Sequence, residues 1–467
     1  MRKIAVILLF SIEVVIAQNI KENLFGFATS NTFTYCDLRD TSFINKVVEL
    51  NPQVLRFPGG AVGNFYHYGK NGYGFNFAEI DNFTDGKFPE RARGLENSRR
   101  KKGHNYDYIN DFIILAKKTN AKAVLVANIF IDNNDILLMI EKLVTNNIEV
   151  IGVELGSELS NRSYFIKGYT IEDYISSAKI CSKKIKDKYP NLKTAVVAAP
   201  LGKQKWHRHN VWNERLSKLD FYDAIIIHPY AKVIKGKDLF GQMIIEEDEG
   251  LSEKEAFNIY KSRTLKFFKN DFPNEVRIYN NIFNKRPIWL TEWNLQMSKT
   301  TGNTMLQSLF VSNYFLEILS NKELQNISLT TYHNLGGRDY SGSIFSSTKD
   351  SLEIRSTYYT LKMIGQLFSL TGQIEVERKE LNKDAFKYLV YNEKKLVKVV
   401  IINWSSKRVV TNNDISKKVQ INSCYSLNLY DRANFYEQPS TKRTTALAKS
   451  NLILNPYSLS LIFADNE

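Results

Sequence analysis

The chain has 467 residues, of which 43% are hydrophobic and 12% aromatic, enough apolar side chains for a large core. With 23 glycines, 10 prolines and 3 cysteines, the composition excludes a collagen-like, disordered or disulfide-scaffold protein. The 63 basic and 49 acidic residues give a net charge of +14, which favours anionic partners such as nucleic acid, an anionic membrane surface or an acidic polymer.

The first 17 residues have the pattern of a secretory signal peptide. Arg2 and Lys3 precede the mostly apolar segment Ile4–Ile16, and Ala17 ends the segment with a small residue. The segment is too short to span a membrane, and Glu13 interrupts it. A buried N-terminal strand or helix is the alternative. We expect residues 1–17 to be removed and the mature protein to be secreted or periplasmic, with no membrane span.

The cysteines indicate no metal centre. Cys36, Cys181 and Cys424 are far apart and form no CxxC or Cys/His spacing of the kind that binds metal. We expect them to be small buried apolar residues. The sequence predicts no metal ion and no organic cofactor.

Eight short apolar runs, each followed by a helix-like segment or a long loop, recur along the chain. They cover residues 24–28, 54–57, 123–129, 149–155, 194–199, 224–228, 287–292 and 327–333. The clearest helical periodicity covers residues 106–118, 135–145, 171–188, 253–269 and 304–319. Such runs are typical of parallel strands buried on both faces, and eight β-then-α units predict a (β/α)8 TIM barrel. An open doubly wound sheet is the alternative, but no GxGxxG opens a helix after an early strand.

The pattern changes near residue 372. Short predicted strands cover residues 388–391, 397–402, 418–421, 426–430, 452–454 and 458–463, with polar, turn-rich segments between them. Residues 376–387 are predicted to be an edge strand or a connector. We therefore expect a barrel over residues 18–371 and an antiparallel β-sandwich over residues 372–467.

Polar residues end most of the predicted barrel strands, where catalytic groups of such barrels project. They are Arg56, Asn128, Glu154, Glu158, His228, Tyr230, Glu292, Trp293 and His333. Glu158 and Glu292 follow the fourth and seventh strands, on opposite sides of the barrel axis. Two carboxyl groups facing each other across a sugar are typical of glycoside hydrolysis, in which one donates a proton and the other attacks the anomeric carbon. The alternative is that each glutamate is a salt-bridged structural residue.

Four motifs in this order resemble a known group of enzymes. They are LRFPGG at Leu55–Gly60, ELGSE at Glu154–Glu158, DAIIIHPY at Asp223–Tyr230 and WLTEWN at Trp289–Asn294. The sequence resembles the clan A retaining glycoside hydrolases, and within them the heparanase/β-glucuronidase and α-L-arabinofuranosidase families. The resemblance covers roughly residues 20–370 and is more specific for the clan than for either family.

The resemblance implies a role for several of these residues. Glu158 matches the acid/base of the clan and Glu292 matches its nucleophile. Arg56, His228 and Tyr230 are implied to contact the substrate or to support the two glutamates.

Three further substrate contacts are predicted from position. Asn128, Trp293 and His333 are expected to contact the sugar because they lie at strand ends.

One residue of this chain departs from the pattern of the clan. The clan has Asn directly before the acid/base, where its amide binds the sugar 2-hydroxyl, but this chain has Ser157. A serine hydroxyl is shorter, so this contact is made through water, is changed to suit a modified 2-position, or is lost with some activity.

Two predicted loops at the barrel mouth are rich in aromatic and basic residues. The first, after the second strand, contains Phe65, Tyr66, His67, Tyr68, Tyr73 and Phe75 and then Arg91, Arg93, Arg99, Arg100, Lys101 and Lys102. The second, after the fifth strand, contains Lys205, His207, Arg208 and His209. The aromatic rings either stack on sugars or form a small core of their own. Guanidinium groups suit carboxylates and sulfates, so an acidic glycan is favoured over a neutral one with a solvated basic rim.

The sequence thus predicts a secreted retaining glycosidase that acts on an oligosaccharide or polysaccharide, with three alternatives. The first is a glycan-binding protein on the same barrel, with Ser157 as the sign of lost catalysis. The second is an enzyme of the same type that cleaves neutral glycans. The third is a nucleic-acid-binding protein, which the charge alone supports because no DNA- or RNA-binding motif is present. The oligomeric state is not predicted.

Overall fold

The computed structural model describes residues 22–103, 105–131, 134–234, 251–296, 298–338, 342–347, 351–432, 440–447 and 450–464. The predicted signal peptide, residues 1–17, lies outside these ranges.

Eight parallel strands form a closed barrel. They are β1 (Gly26–Ala28), β2 (Val54–Phe57), β3 (Lys122–Val126), β4 (Val150–Leu155), β5 (Lys193–Val197), β6 (Ala224–Ile226), β7 (Ile288–Leu295) and β8 (Ile327–Tyr332). Each strand pairs with its neighbours in chain order, and β8 pairs back onto β1, which closes the barrel. The two-residue strand Tyr230–Ala231 pairs with the end of β7. All eight predicted strands are present, and the predicted TIM barrel is confirmed.

Helices surround the barrel. They are α1 (Thr32–Tyr35), α2 (Thr41–Leu50), α3 (Phe77–Phe83), α4 (Lys87–Lys101), α5 (Ile109–Thr119), α6 (Asn134–Val144), α7 (Arg162–Phe165), α8 (Ile171–Lys188), α9 (Arg208–Ser217), α10 (Glu253–Lys266), α11 (Phe272–Ile282), α12 (Met305–Ser320) and α13 (Ser356–Phe368). A π-helical turn, Phe267–Asp271, joins α10 to α11, and 3₁₀ turns cover Ala61–Phe65 and Lys322–Leu324. Reciprocal capping boxes start α8 at Thr170 and α10 at Ser252, because each cap and a later acid bind one another's backbone N–H.

One large side chain inside the barrel, Trp289, requires glycine opposite it. A Cβ atom on Gly152 in β4 would lie 2.2 Å from the ring of Trp289 in β7. Glycine at this position therefore lets the Trp289 ring fill the barrel near the start of the strands, while the other ends of β4 and β7 carry the polar residues of the candidate site.

The C-terminal part consists of antiparallel strands. After a hairpin of β9 (Phe345–Ser347) and β10 (Leu352–Ile354) come β11 (Ile374–Asn382), β12 (Ala385–Asn392), β13 (Lys395–Asn403), β14 (Val409–Asn412), β15 (Val419–Tyr425), β16 (Ser440–Ala446), β17 (Asn451–Leu454) and β18 (Ser458–Ala464). Six of them form a sheet in the order β11-β12-β13-β18-β15-β16, and β14 pairs with β17. Residues from both sheets share one apolar core, so the predicted β-sandwich is confirmed.

Two details of this region differ from the sequence prediction. Residues 426–430, predicted as a strand, form turns, because the side chain of Asp431 binds the backbone N–H of Asn428 and the hydroxyl of Ser426. Residues 376–387 contribute to two paired strands, β11 at the edge of the sheet and the start of β12.

Helix α12 lies between the barrel and the β-sandwich and is buried on all sides. Every residue from Met305 to Leu319 is buried. On the sandwich side, the Tyr388 hydroxyl donates to Glu317 at 2.9 Å and Arg378 forms an ion pair with Glu317 at 3.2 Å. The helix is therefore a shared part of both cores.

None of the helices in the described residues combines the length and apolar character that a membrane span requires. Cys36, Cys181 and Cys424 are buried and unbonded to one another, and burial raises the pKa of each thiol to about 12.

Candidate active site

A buried arginine joins two carboxylates at the C-terminal ends of the barrel strands. Arg56 in β2 has no exposed surface. Its Nε and Nη2 donate to the two carboxylate oxygens of Glu154 in β4, at 2.6 and 2.7 Å. Its Nη1 donates to Oε1 of Glu292 in β7 at 2.8 Å. A guanidinium group with its donors fixed in a plane is suited to holding both carboxylates in set directions.

The other oxygen of Glu292 faces three further side chains. Tyr230 donates its hydroxyl to Glu292 Oε2 at 3.2 Å, and ring nitrogens of His333 and His228 lie 3.7 and 3.9 Å from the same oxygen. Burial opposes the charged form of Glu292, but the neighbouring His333, His228 and Arg56 outweigh it and lower its pKa well below the ordinary value. Arg56 is charged at any ordinary pH, so Glu292 is held as a carboxylate.

Glu158 lies three residues beyond β4 in an unusual backbone conformation. Its φ is 53°, in the left-handed region that a residue with a Cβ enters at a cost of about 1–2 kcal/mol. The backbone N–H of Asn161 donates to the Glu158 carbonyl at 2.9 Å, and the Asn161 side chain donates to its carboxylate at 3.2 Å. The Glu158 side chain is 35% exposed, whereas that of Glu292 is 8% exposed. Glu158 is thus the carboxyl group that faces the opening.

The two carboxyl groups lie close together. An oxygen of Glu158, a ring nitrogen of His228 and an oxygen of Glu292 are all within 4.8 Å of one another. Retaining glycosidases separate their carboxyl groups by about 5–5.5 Å, and inverting ones by about 6.5–9.5 Å to admit a water. The spacing therefore fits direct attack by one carboxylate on a bound sugar.

A chain of hydrogen bonds fixes the orientation of His228. The Thr291 hydroxyl donates to Glu154 Oε2 at 3.2 Å, so it accepts from His228 Nε2–H at 3.0 Å. His228 Nδ1 then faces Glu158 Oε1 at 3.1 Å. Burial opposes protonation of His228, but the Glu292 and Glu158 carboxylates outweigh it and raise its pKa. Nδ1 can accept from a protonated Glu158 or, when protonated, donate to its carboxylate.

Ser157 is enclosed by protein groups. It has no exposed surface, and its hydroxyl accepts from Arg56 Nη2 at 3.2 Å. The hydroxyl is therefore engaged inside the barrel and leaves no contact for a sugar in this conformation. The departure from the clan's Asn thus removes an amide from the surface of the site.

Three predicted sugar contacts occupy different environments. Trp293 has no exposed surface, and its ring stacks on Tyr314 of α12 with centroids 3.9 Å apart, so it contributes to the core and offers no face to a sugar. Asn128 is buried and donates to Glu79 at 3.0 Å. His333 is beside Glu292, and burial lowers its pKa.

The predicted loop after β2 contains helices α3 and α4, and its buried aromatic side chains belong to the same apolar core as the barrel. Tyr73 stacks on Phe75 within this segment, whereas Phe65 stacks on Phe130, which follows β3. The basic run from Arg91 to Lys101 belongs to α4 and is not a loop. Arg99 is buried over the ring of Tyr108, so it is not available to a ligand.

The second basic segment lies next to Glu158. Arg208, the first residue of α9, donates to the carbonyl of Ser160 at 2.5 Å and stacks over Phe165 of α7 at 4.9 Å. Burial and the like charge of Arg162 lower the pKa of Arg208. Trp206 is 75% exposed and Phe165 is 52% exposed. We name Arg162, Phe165, Trp206 and Arg208 the basic ledge.

A metal ion is not needed to explain the cluster. Among the described acids, histidines and cysteines, Glu158, His228 and Glu292 form the group whose spacing fits a cation. Arg56 already supplies a positive charge to Glu292, and this charge disfavours a cation at the same oxygens.

Sequence reasoning missed two buried residues that hold the site. Thr291 precedes Glu292 in the WLTEWN motif, and a polar residue inside an apolar strand was the available signal. Asn64 binds the backbone of Ser157, and no local pattern indicated this contact, since the two residues are 93 positions apart.

Comparisons with solved structures find the same fold in several glycoside hydrolases. No family model and no curated protein matches the sequence. Among solved structures, the chain is similar to a GH51 arabinofuranosidase from Xanthomonas axonopodis pv. citri, with a TM-score of 0.68, 11% identity, and coverage of 96% of this chain and 97% of that one.

Two other solved structures share the fold. One is a 4-O-α-L-rhamnosyl-β-D-glucuronidase from Fusarium oxysporum 12S, with a TM-score of 0.60, 12% identity, and coverage of 96% and 98%. The other is a family 39 glycoside hydrolase from Bacteroides cellulosilyticus WH2, with a TM-score of 0.55, 12% identity, and coverage of 96% and 82%. At these identities the likeness establishes the shared two-part fold.

Proposed function

We propose that this protein is a retaining glycoside hydrolase that cleaves by double displacement, with Glu292 as nucleophile and Glu158 as acid/base. The observation that carries the proposal is the spacing of the two carboxyl groups, within 4.8 Å at a barrel mouth, with one held ionised and the other facing the opening. The shared fold with known glycosidases supports it.

In the first step, Glu292 attacks the anomeric carbon while the bond to the leaving oxygen breaks. Glu158 gives its proton to that oxygen, so the leaving group departs as a neutral alcohol. Arg56 keeps Glu292 ionised and, by holding Oε1, directs Oε2 toward the sugar. The Tyr230 hydroxyl, bound to that oxygen, helps to orient it.

In the second step, the Glu158 carboxylate takes a proton from water as the water oxygen attacks the same carbon. The bond to Glu292 breaks, and the sugar leaves with net retention. His228 Nδ1 can bond to Glu158 in both of its protonation states, so the histidine supports the acid and the base in turn.

The basic ledge supports an anionic substrate, either uronate-containing or sulfated. It lies on the side of Glu158, where the leaving group departs, and burial together with the neighbouring positive charge of Arg162 lowers the pKa of Arg208. A carboxylate or sulfate between the two guanidinium groups relieves this repulsion. The exposed ring of Trp206 adds an apolar face suited to a sugar.

The apolar first 17 residues support export of this enzyme. We therefore place its activity outside the cytoplasm, in the secreted or periplasmic fraction. Fractionation of a producing cell, with N-terminal sequencing of the mature protein, tests this; a cytoplasmic protein that begins at Met1 contradicts it.

Catalysis is tested with 4-nitrophenyl α-L-arabinofuranoside, β-D-xyloside and β-D-glucuronide, together with heparin, chondroitin and arabinan. Glu292→Gln is expected to lower turnover at least about 1000-fold while the protein stays folded. The matched control is Glu317→Gln, which changes another buried glutamate paired with an arginine but leaves the site intact. A 2-fluoro glycosyl inactivator is expected to label Glu292. Binding without cleavage by the wild type favours the glycan-binding alternative.

The anionic substrate is tested on the Glu292→Gln protein, which binds without turnover. Calorimetry measures the binding of three kinds of oligosaccharide of equal length: sulfated, unsulfated uronate-containing, and neutral. The double variant Arg162→Gln/Arg208→Gln is compared with the control double variant Lys117→Gln/Lys118→Gln. The control lysines are exposed at the end of α5, which leads to the opposite face of the barrel. We expect at least about tenfold weaker binding of anionic chains for the arginine variant alone. Equal binding of neutral and anionic chains contradicts the proposal.

A further inference from the structure

Asn64 forms a two-point clamp on the backbone of Ser157, the residue directly before Glu158. Its side-chain oxygen accepts from the Ser157 N–H at 2.7 Å, and its side-chain nitrogen donates to the Ser157 carbonyl at 2.7 Å. The same nitrogen donates to the Tyr164 hydroxyl at 2.8 Å. Asn64 is 1% exposed, so it does not reach the opening.

The clamp lies where the backbone is under strain. Gly156 and Glu158, on either side of Ser157, have φ values of 80° and 53°. A left-handed glutamate relaxes unless surrounding contacts hold it, because the ordinary backbone regions are lower in energy. The two hydrogen bonds from Asn64 fix the peptide groups on both sides of Ser157, including the one that leads into Glu158.

Its own surroundings hold Asn64 in turn. It belongs to the 3₁₀ turn Ala61–Phe65, which follows β2 and the Pro58-Gly59-Gly60 segment. The adjacent Phe65 ring stacks near Phe130 and Tyr164. The turn after β2, which also carries Arg56, therefore sets the position of the segment after β4.

We propose that Asn64 is a positioning residue for the acid/base chemistry of Glu158. The inference rests on the proposed function for the role of Glu158, but the clamp itself does not. By fixing the Ser157 peptide groups, Asn64 keeps the Glu158 carboxyl between His228 Nδ1 and the leaving oxygen. Loss of the clamp therefore impairs proton transfer to the leaving group more than attack by Glu292.

The test compares Asn64→Asp with a matched control. Aspartate keeps the shape and still accepts from the Ser157 N–H, but it cannot donate to the Ser157 carbonyl. The chain offers the same clamp elsewhere: Asn213, which is fully buried, accepts from the Ala199 N–H at 2.8 Å and donates to the Ala199 carbonyl at 2.9 Å. Asn213→Asp thus makes the same chemical change after β5, at a residue bonded to Ala199 and not to the segment that carries Glu158.

The kinetic measurement is kcat/KM on phenyl and 2,4-dinitrophenyl glycosides of whichever sugar in the nitrophenyl panel is cleaved. Phenol needs a proton to depart, whereas dinitrophenolate does not. Asn64→Asp is expected to lower kcat/KM about 30-fold or more on the phenyl glycoside and less than about threefold on the other. Asn213→Asp is expected to change kcat/KM on the two glycosides by the same factor. If Asn64→Asp lowers kcat/KM by the same factor on both glycosides, the positioning role of Asn64 is overturned, while the glycosidase assignment still holds.

The clamp is tested without any substrate by hydrogen exchange. The peptide that contains Ser157 and Glu158 is expected to exchange faster in Asn64→Asp than in the wild type or in Asn213→Asp. Unchanged exchange overturns the clamp. Absence of cleavage by the wild type, with faster exchange in Asn64→Asp, instead overturns the proposed function and with it the catalytic role given to Asn64.

Discussion

Arg56 and Glu292 are 236 positions apart in the chain, yet the Arg56 guanidinium donates to the Glu292 carboxylate at 2.8 Å inside the barrel. Arg56 also binds Glu154, so one cation lies between two carboxylates. Glu292 stays ionised because its Oε1 accepts from an arginine that cannot lose its proton.

Arg56→Lys is expected to harm both activity and stability. A lysine keeps the charge but has no planar pair of donors, so Glu154 or Glu292 loses a partner in a buried site. Breaking a buried pair costs roughly 3–5 kcal/mol, which urea unfolding measures. The control is Arg286→Lys, since that half-buried guanidinium donates to the carbonyls of Tyr222 and Leu219 far from the site.

The same variant is expected to move the acid limb of the pH–activity profile. Activity requires ionised Glu292, whose pKa lies well below its ordinary value of 4.5, so the wild-type limb lies below that value. A weaker interaction with the cation raises the pKa of Glu292, so the limb moves to higher pH in Arg56→Lys. An acid limb of kcat/KM that stays in place contradicts the role given to Arg56.

Thr291→Val is expected to reduce activity by disturbing His228. Valine keeps the shape, but it removes the acceptor for His228 Nε2–H and the donor to Glu154. The histidine then loses its fixed ring orientation beside Glu158, and kcat/KM is expected to fall about tenfold or more. The control is Thr330→Val in β8, whose hydroxyl donates to the Leu24 carbonyl. Equal kinetics for the two variants would argue against the hydrogen-bond chain.

Trp293→Phe separates a core role from a sugar-binding role. The Trp293 ring stacks on Tyr314 with an interplanar angle of 6°. A smaller ring leaves a gap in that stack, so we expect a loss of about 1–3 kcal/mol in the free energy of unfolding and less than a twofold change in KM. A large rise in KM with unchanged stability would restore Trp293 as a sugar contact.

His67 predicts a pH-dependent contribution to stability. The carboxylates of Asp135 and Glu79, 3.6 and 2.6 Å from the ring nitrogens, raise the pKa of His67 to about 9, above the unfolded value of 6.5. The contribution is therefore complete below about pH 6.5 and is lost as the pH rises through about 9. Thermal unfolding of His67→Gln is expected to show the largest deficit in Tm near neutral or lower pH and the smallest above pH 9. A deficit independent of pH would contradict the ion-pair explanation, and His207→Gln serves as the control.

The barrel strands were predictable because burial on both faces requires continuous apolar runs, such as AIII before His228. Strands β14 and β16 of the sandwich were not predicted, since their sequences, VVTN and STKRTTA, carry too little apolar signal. Helices α3 and α4 were also not predicted, because the segment around them is rich in charged and polar residues.

The residues of the candidate site were predictable where they lie at the C-terminal ends of barrel strands. Arg56, His228, Tyr230, Glu292 and His333 all converge, as positions at the ends of barrel strands require. The direction of each side chain was not predictable, because inward and outward positions alternate along a strand and a single residue decides the outcome. Trp293, next to Glu292, therefore points into the core.

The complete burial of α12 has a consequence for any shortened form of the protein. A cut near residue 371, where the sequence changes character, would remove the sandwich from one side of a helix whose residues from Met305 to Leu319 are all buried. Tyr388 and Arg378 would be lost with it, which leaves the Glu317 carboxylate facing newly exposed apolar surface. We expect such a fragment to aggregate when expressed, so the barrel is not expected to be obtained alone by trimming the gene at this point.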